Sequence, residues 1–459
     1  MERVVEDSSR RVEPPAPIVH ARPLPAWRVI AAMLGNPLTV YSRESFTLPV
    51  GRVRILGRTS IAVNHPDGVK HVLTSHAARY GRPAAAIRPV RWMMGNGLLL
   101  AEGEAWRGQR RMLAPLFSPA HIGALLPHFL AAGQALDEGL SGRSEAKLSE
   151  AFNQATLDAV LRALFSTPAA TRGRELASLT HHYLMGPGRP NFGDMMAQAE
   201  GDFAMFDGSR RRFRTKWHQA VDAFVRARRE EGHEGGSRDL LDILLAARDP
   251  ETGAALSPEE VRDQSATMIF AGFETTARLL FWAAYLLALD QREQARVRAE
   301  VAAFPPERVG SLQDLQHWSR LKCVLLEALR LYPPVAQLIR QAVAPDEVLG
   351  EQVAVGDLIW ISPWTLQRHR DHWTDPTAFM PERFEGQPQP WGNGAFIPFG
   401  GGPRICIGAS FALAEAQILM ASLLNGRGFG LVDTRPVLPI GRITTVPSYE
   451  PRFSLRAGA

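Results

Sequence analysis

The stretch FGGGPRICIG, Phe399 to Gly408, holds one of only two cysteines in 459 residues. Three consecutive glycines let the backbone approach another object closely, because no Cβ stands in the way. A helical pattern, ASFALAEAQILMASLLNGRG, follows Cys406 directly. A thiolate ahead of a helix N-terminus is stabilised by the helix dipole and backbone amides, which suits a nucleophile or a metal ligand. A nucleophile needs a base, and no histidine lies near Cys406 in the sequence, so ligation is favoured. The bland alternative is a small core thiol. That reading fits Cys323, which sits on an apolar helical face one turn before Glu327.

Other residues invite chemistry less directly. AGFETT, 271 to 276, places a glycine and two threonines inside a helical pattern, where all three are poor choices for stability alone. Glu274 and Thr275 then read as an acid and an alcohol able to move protons. Their structural alternative is a solvated Glu274 and a Thr275 bonded to a carbonyl of the preceding turn. Glu327 and Arg330 share a helix face and can pair. His369 and His372 form H-x-x-H without a third ligand and read as loop residues. The chain has no GxxxxGK, GxGxxG, GxSxG, HExxH or CxxC. Phosphate-loop, dinucleotide, serine-hydrolase, zincin and thioredoxin-type readings therefore lose their anchors.

These residues need a frame to hold them. VRILGRTSIAVNHP reads as two short strands around a turn at Gly57. From Ala120 to Leu289 apolar residues recur at three and four, broken at 186 to 193 and 233 to 238. Ser257-Pro258-Glu259-Glu260 is a capping box that predicts one helix of about 33 residues to Leu289, roughly 50 Å long. A second helix covers Leu315 to Leu331, strands follow in LGEQVAVGDLIWIS, and a last helix after Cys406 stops at Gly426. SRRRFRTKWHQAVDAFVRARREE, Ser209 to Glu231, is the densest basic cluster. Phe213, Trp217, Val221, Phe224 and Val225 recur in it at helical spacing, so its charges read as the solvated face of an amphipathic helix.

The totals narrow the class. Hydrophobic residues at 45% and charged residues at 22% suit a soluble globular protein, and a net charge of +5 is too mild to argue for nucleic-acid binding. Two cysteines exclude a disulfide scaffold and point to a reducing, cytoplasmic setting. The head is polar and proline-rich, unlike a signal peptide, and the apolar run Leu279 to Leu289 is too short for a membrane span.

FGGGPRICIG fits, at each fixed position, the F-x-x-G-x-R-x-C-x-G haem loop of the cytochrome P450 family, as Phe399, Gly402, Arg404, Cys406 and Gly408. AGFETT, EALR at 327 to 330 and PERF at 381 to 384 follow that family's order. From about residue 45 to the C-terminus the sequence resembles the soluble bacterial type of this family. The resemblance implies a mainly α fold with a small β region: a flexible head at 1–25, then one large domain, 26–459, with a long central helix over haem b.

It also implies roles. Cys406 is expected to be the thiolate ligand of the haem iron, with Phe399 packed beside it and Gly408 following. Trp106, Arg110, Arg340 and Arg404 are expected to hold the propionates. Ala271 and Gly272 leave room for dioxygen, and Glu274 and Thr275 relay protons. Glu327, Arg330 and Arg383 hold the core beneath the haem. Arg107 and Arg111 are expected to form an outer basic patch for a ferredoxin- or flavodoxin-type donor supplied by its reductase. Gln367, where many relatives carry histidine, reads as local variation. Arg88 and Arg91 are candidates to anchor a substrate carboxylate in an otherwise apolar pocket.

The implied reaction is insertion of one oxygen atom from O2 into an apolar organic substrate, with electrons from NAD(P)H through separate partners. The alternatives are a peroxide-driven peroxygenase and a non-catalytic haem sensor or carrier. The Glu274-Thr275 pair argues against both.

Overall fold

The computed structural model describes residues 11–55, 57–230, 239–387 and 394–457. The first half holds α1 (Ala26–Gly35), α2 (Pro66–Lys70), α3 (Ala84–Met94), α4 (Gly103–Leu113), α5 (Pro119–Leu140), α6 (Leu148–Phe165), α7 (Ala169–Met185), α8 (Phe192–Met196) and α9 (Gly208–Glu230). The second holds α10 (Leu240–Ala246), α11 (Pro258–Leu289), α12 (Gln291–Ala303), α13 (Ser319–Leu331), α14 (Pro363–Leu366) and α15 (Ala409–Leu424).

The central helix α11 starts where its capping box predicts. The Ser257 hydroxyl accepts from Glu260 N at 3.2 Å, and the Glu260 carboxylate accepts from Ser257 N at 2.8 Å. Its 32 residues span about 48 Å at 1.5 Å per residue. From Thr276 to Leu287 every residue is buried, as required of a helix that is apolar all round. It packs on α6, α13, α3, α9 and α15. The basic helix α9 likewise buries Phe213, Trp217, Val221, Phe224 and Val225.

Small sheets flank the helices. β1 (Val50–Ile55) and β2 (Arg58–Val63) form the hairpin expected around Gly57, whose φ of 78° suits glycine. They join β3 (Tyr80–Gly81), β5 (Leu338–Ala342) and β8 (Leu358–Ile361) in the order β1-β2-β8-β5-β3, with β2 and β8 parallel. A second sheet runs β4 (Glu145–Ala146), β12 (Phe453–Ala457), β9 (Arg427–Leu431). Two hairpins complete the set: β6 (Asp346–Val348) with β7 (Glu351–Val353), and β10 (Pro439–Gly441) with β11 (Thr445–Pro447).

Three expectations need correction. The block from Ala120 to Leu289 is cut more often than its glycine-rich breaks indicate, also at 141–147, 166–168, 197–207 and 247–257; the break at 233 to 238 lies outside the described residues. The helix expected from Leu315 begins as a 3-10 turn over Leu312–Trp318. Finally, of the head expected to be flexible at 1–25, residues 1–10 lie outside the described residues, and residues 11–25 are tied to the domain by hydrogen bonds. Val12 O accepts from Phe379 N at 2.9 Å, Pro15 O from Tyr332 Oη at 2.7 Å, and His20 N donates to Tyr41 O at 3.1 Å.

Candidate functional site

The Cys406 loop is shaped by its glycines. Gly400 and Gly402 take φ of 77° and 66°, and a Cβ on Gly402 would overlap the carbonyl of Leu73. The loop thus lies backbone to backbone on a π-helical turn, His71–Ser75. Cys406 N donates to Phe399 O at 2.9 Å, closing the loop on itself. Cys406 keeps accessible surface although protein surrounds it, the mark of a side chain facing an interior space. Burial pushes its thiol pKa up, and the Gly408 N–H and Arg110 only partly offset this. The helix N-terminus alone therefore does not make the thiolate. A cation bound at sulfur would deprotonate it outright.

Positive charge collects beside this loop. Arg404 Nη1 donates to Ala101 O at 3.0 Å, its other terminal nitrogen pairs with Glu102, and its guanidinium lies 4.4 Å from the Trp106 ring centroid. Arg82 stands 3.7 Å from Glu102. Burial first, and then the charges of Arg404 and Arg340, lower the Arg82 pKa to about 9. Arg340 is lowered for the same reasons, burial first and then Arg404. Three half-buried guanidiniums thus act on one another with Glu102 as their common carboxylate. This excess fits a ligand carrying two carboxylates, as haem b does. Arg82 has no motif around it and escaped the sequence reading. Arg110 points differently, donating to Ile405 O at 3.0 Å beside the cysteine.

On α11, Ala271 is exposed and Thr275 half-buried, in the middle of a helix that is otherwise largely buried. Helix α15 links this part of α11 to the cysteine loop. Helix α15 starts three residues after the cysteine, and Glu415, its seventh residue, lies beside Thr276; seven residues span about 10 Å. Thr275 Oγ1 donates to Ala271 O at 2.8 Å, so its lone pairs are free to accept from a group in the space.

Two expected site residues do other work. The missing side chain of Gly272 leaves room for Val160, whose Cγ2 would lie 2.9 Å from a Cβ there. That glycine permits α6 to pack on α11. Glu274 is buried: Oε1 accepts from Arg278 Nε at 2.9 Å and from Thr444 Oγ1 at 3.0 Å, and Arg278 continues to Ser149 Oγ at 3.0 Å. It braces α11 against its neighbours and is not the free acid that its place in AGFETT suggests.

The supporting residues assemble as expected, with additions. Arg330 bonds both Glu327 oxygens at 2.7 Å, and Arg383 Nε reaches Glu327 Oε1 at 3.4 Å. Gln367 is a fully used brace: Nε2 donates to Leu329 O and Arg330 O at 2.9 and 3.1 Å, and Oε1 accepts from Ile397 N at 3.0 Å. Arg88 is no free anchor, since it is buried between Asp194 and Asp207. Arg91 pairs with Glu200 at 2.6 Å. Arg107 pairs with Glu104, and Arg111 with Asp249 and Glu251, each at 3.1 Å. Acidic neighbours therefore offset part of the positive charge expected at these two positions. Cys323 is buried, which raises its thiol to about 11.

A mainly helical fold with a long central helix over a glycine-lined cysteine loop defines a haem-thiolate class of protein. The cytochrome P450 family model matches residues 31–432, and the chain belongs to that family. Cytokinin hydroxylase of Arabidopsis thaliana is 31% identical over 414 residues, 85% of this chain and 77% of the relative. Cyclooctat-9-en-7-ol 5-monooxygenase of Streptomyces melanosporofaciens is 30% identical, covering 79% of this chain and 78% of that protein. The crystal structure of the cytochrome P450DA heme domain shares the fold with a TM-score of 0.79, at 24% identity over 98% of each chain. The protein is a cytochrome P450 monooxygenase with haem b as its cofactor. Among the described residues, no single helix is long and apolar enough to cross a membrane.

Proposed function

We propose that this monooxygenase inserts one atom of O2 into an apolar organic substrate, with Cys406 as the sulfur ligand of the haem iron. The carrying observation is Cys406 itself: accessible, enclosed by protein, and held on a loop with no room for a Cβ at Gly402. Bound haem supplies the iron at which dioxygen is activated and one-electron chemistry occurs. Arg404, Arg340 and Arg82 hold its carboxylates, Trp106 stacks on Arg404, and Arg110 fixes the loop beside the sulfur. Phe399 closes the loop through its carbonyl bond to Cys406 N, and the Gly408 N–H moderates charge on the sulfur.

Ala271 leaves open space on the accessible strip of α11. Thr275 commits its own proton to Ala271 O, so it accepts a hydrogen bond and orients a proton-bearing water there. Half-buried Met268 and Leu338, with the more exposed Val335, are apolar surfaces for a substrate without charge.

Electrons from NAD(P)H reach the enzyme through a separate ferredoxin- or flavodoxin-type donor and its reductase. Two cysteines cannot supply the four thiolates of an iron–sulfur cluster. Both cysteines are free, which agrees with a reducing cytoplasm.

The test is spectroscopic. Ferrous wild type with carbon monoxide should show the red-shifted Soret band of a thiolate ligand, and Cys406→His should lose it while Cys323→Ser keeps it. A histidine-type spectrum in intact wild type refutes the assignment. Burial of Glu274 weakens the case against peroxide as oxidant. Product formation is therefore compared with NADPH plus surrogate partners and with hydrogen peroxide alone; turnover only with peroxide would favour the peroxygenase.

A further inference from the structure

One cluster of ligand-type side chains has no part in the chemistry above. His71 opens the π-helical turn His71–Ser75, His76 follows its end, and Asp346 begins β6. His71 Nε2 lies 2.9 Å from Asp346 Oδ2, and the two imidazole rings stack with centroids 4.0 Å apart. One donor atom from each of the three residues falls within 4.8 Å of the others. Around a tetrahedral zinc ion with bonds of about 2.0–2.1 Å, neighbouring donors are roughly 3.3 Å apart. Closing the cluster on an ion therefore needs donor movements on the order of 1 Å, and, because the lone pairs of stacked rings do not converge, a turn of one imidazole out of the stack.

A second observation points to a missing partner. His76 Nδ1 is buried and has no hydrogen bond among the described residues. Such an atom is costly unless something occupies its lone pair or takes its proton. The carboxylate, by contrast, is already oriented. Tyr80 Oη donates to Asp346 Oδ2 at 2.7 Å and Arg79 Nη1 to Oδ1 at 3.1 Å, the kind of outer contact that fixes a metal-ligating carboxylate.

We propose that His71, His76 and Asp346 form a site for a divalent transition-metal ion of the zinc class. Two imidazoles and one carboxylate suit such an ion; calcium and magnesium prefer all-oxygen ligation. All three residues are half-buried, which leaves an entry path and a fourth position for water. The place gives the site a consequence. Leu73, inside the same turn, is the residue against which Gly402 of the cysteine loop rests. A bound ion joins that turn to the β6–β7 hairpin and stiffens the support of the loop. Another histidine group, His65 with His369 and His372, has ring centroids 5.2 and 4.8 Å apart. His369 Nε2 and His372 Nε2 are likewise buried without a hydrogen bond among the described residues, but His65 Nδ1 already accepts from Asp67 N. Among the described residues only His71, His76 and Asp346 bring three donor atoms of this kind within 4.8 Å of one another, so the second group serves as a control.

The test is calorimetric titration of chelator-treated, haem-loaded protein with Zn2+. Wild type should bind one ion per chain saturably. His71→Ala and His76→Gln should each weaken binding at least tenfold, and His372→Gln should leave it unchanged. Absence of saturable binding, unchanged affinity in both variants, or loss in His372→Gln overturns the proposal. Should His71→Ala not fold, wild type alone decides. Zn2+ should protect His71 and His76 from diethylpyrocarbonate, read by peptide mass spectrometry, and equal modification with and without zinc overturns the site.

Discussion

Two buried charge networks in this enzyme are built on opposite plans. At α13, one carboxylate, Glu327, holds two guanidiniums, Arg330 and Arg383. The surplus positive charge is absorbed by carbonyls, with Arg330 donating to Gln367 O, Pro376 O and Ala378 O at 2.7–2.9 Å. Between α3 and the start of α9, two acids alternate with two bases. Arg88 contacts Asp194 and Asp207 at 3.1 and 2.9 Å, and Arg210 contacts the same pair at 2.7 and 3.1 Å. The first network has a single point of failure. In the second, every member has two partners, so no one loss strands a charge. Helix α11 packs on α13 as well as on α3 and α9, so it touches elements of both.

Removing the single point should do most harm. Glu327→Ala leaves two guanidiniums without their carboxylate, at a cost of about 3–5 kcal/mol, and little soluble haem-loaded protein is expected. Asp194→Ala should cost less, about 1–3 kcal/mol, because Asp207 still reaches both arginines. The variant should load haem normally while amides of residues 187–211 exchange faster. Equal loss of haem in the two variants would break the contrast. Although burial alone would raise it, the Arg210 bond leaves the Asp194 pKa below its ordinary 3.8. A depressed carboxyl stabilises the fold above that value and loses its contribution as pH falls below it, so the gap between wild type and Asp194→Asn should close in acid.

Glu415 sharpens the contrast, as a buried acid with no cation paired to it among the described residues. It is fully buried on α15, and neither carboxylate oxygen has a well-formed hydrogen bond. Its neighbour Thr276 spends its own proton on Gly272 O at 2.9 Å, so it can only accept, and Glu415 can meet it only when protonated. Burial raises this carboxyl well above 4.5. With the folded pKa raised, stability is full below 4.5 and falls as pH climbs towards the folded value, by up to about 1.4 kcal/mol per pH unit. Glu415→Gln keeps the shape without the charge. Its Tm should match wild type near pH 4.5 and exceed it by about one degree one unit higher; parallel pH profiles would show that the acid is paired after all.

What the sequence revealed followed from how far apart the partners lie. Glu327 and Arg330 are three residues apart on one helix, and the cap of α11 is written within four residues, so both could be read directly. The fixed positions around Cys406 marked the loop, and Arg404 and Arg340, which the family resemblance names, lie near enough to act on each other's charge. Arg88 and Asp207 are 119 positions apart, and no local period announces such a pair. The packing partners of Glu274 and Gly272 were hidden for the same reason. Each has a motif that suggests chemistry, but its true neighbour, Thr444 or Val160, comes from a distant element. Arg82 was missed because a lone arginine in YGRP carries no signal until Glu102, Arg340 and Arg404 gather around it.

The smallest expected change is at Thr275, and it should leave both charge networks untouched. Thr275 belongs to neither, and its hydroxyl bonds only the carbonyl one turn back among the described residues. Thr275→Ala removes one oriented acceptor from the accessible strip and no packed group. The variant should therefore fold, bind haem and melt within about 0.5 kcal/mol of wild type. What it loses is the placing of a proton-bearing water. Without that placement, electrons taken from NADPH leave more often as hydrogen peroxide and less often as product. A single hydrogen bond of about 1 kcal/mol corresponds to roughly a fivefold change, so the ratio of product formed to NADPH consumed should fall about that much, with peroxide rising to match. Glu274→Gln makes the necessary counterpart. As a brace to Arg278 and Thr444, it should lower Tm while the surviving enzyme stays coupled. Wild-type coupling in Thr275→Ala, together with peroxide leakage in a fully stable Glu274→Gln, would return the proton-handling role to the acid and show that its salt bridge opens during turnover.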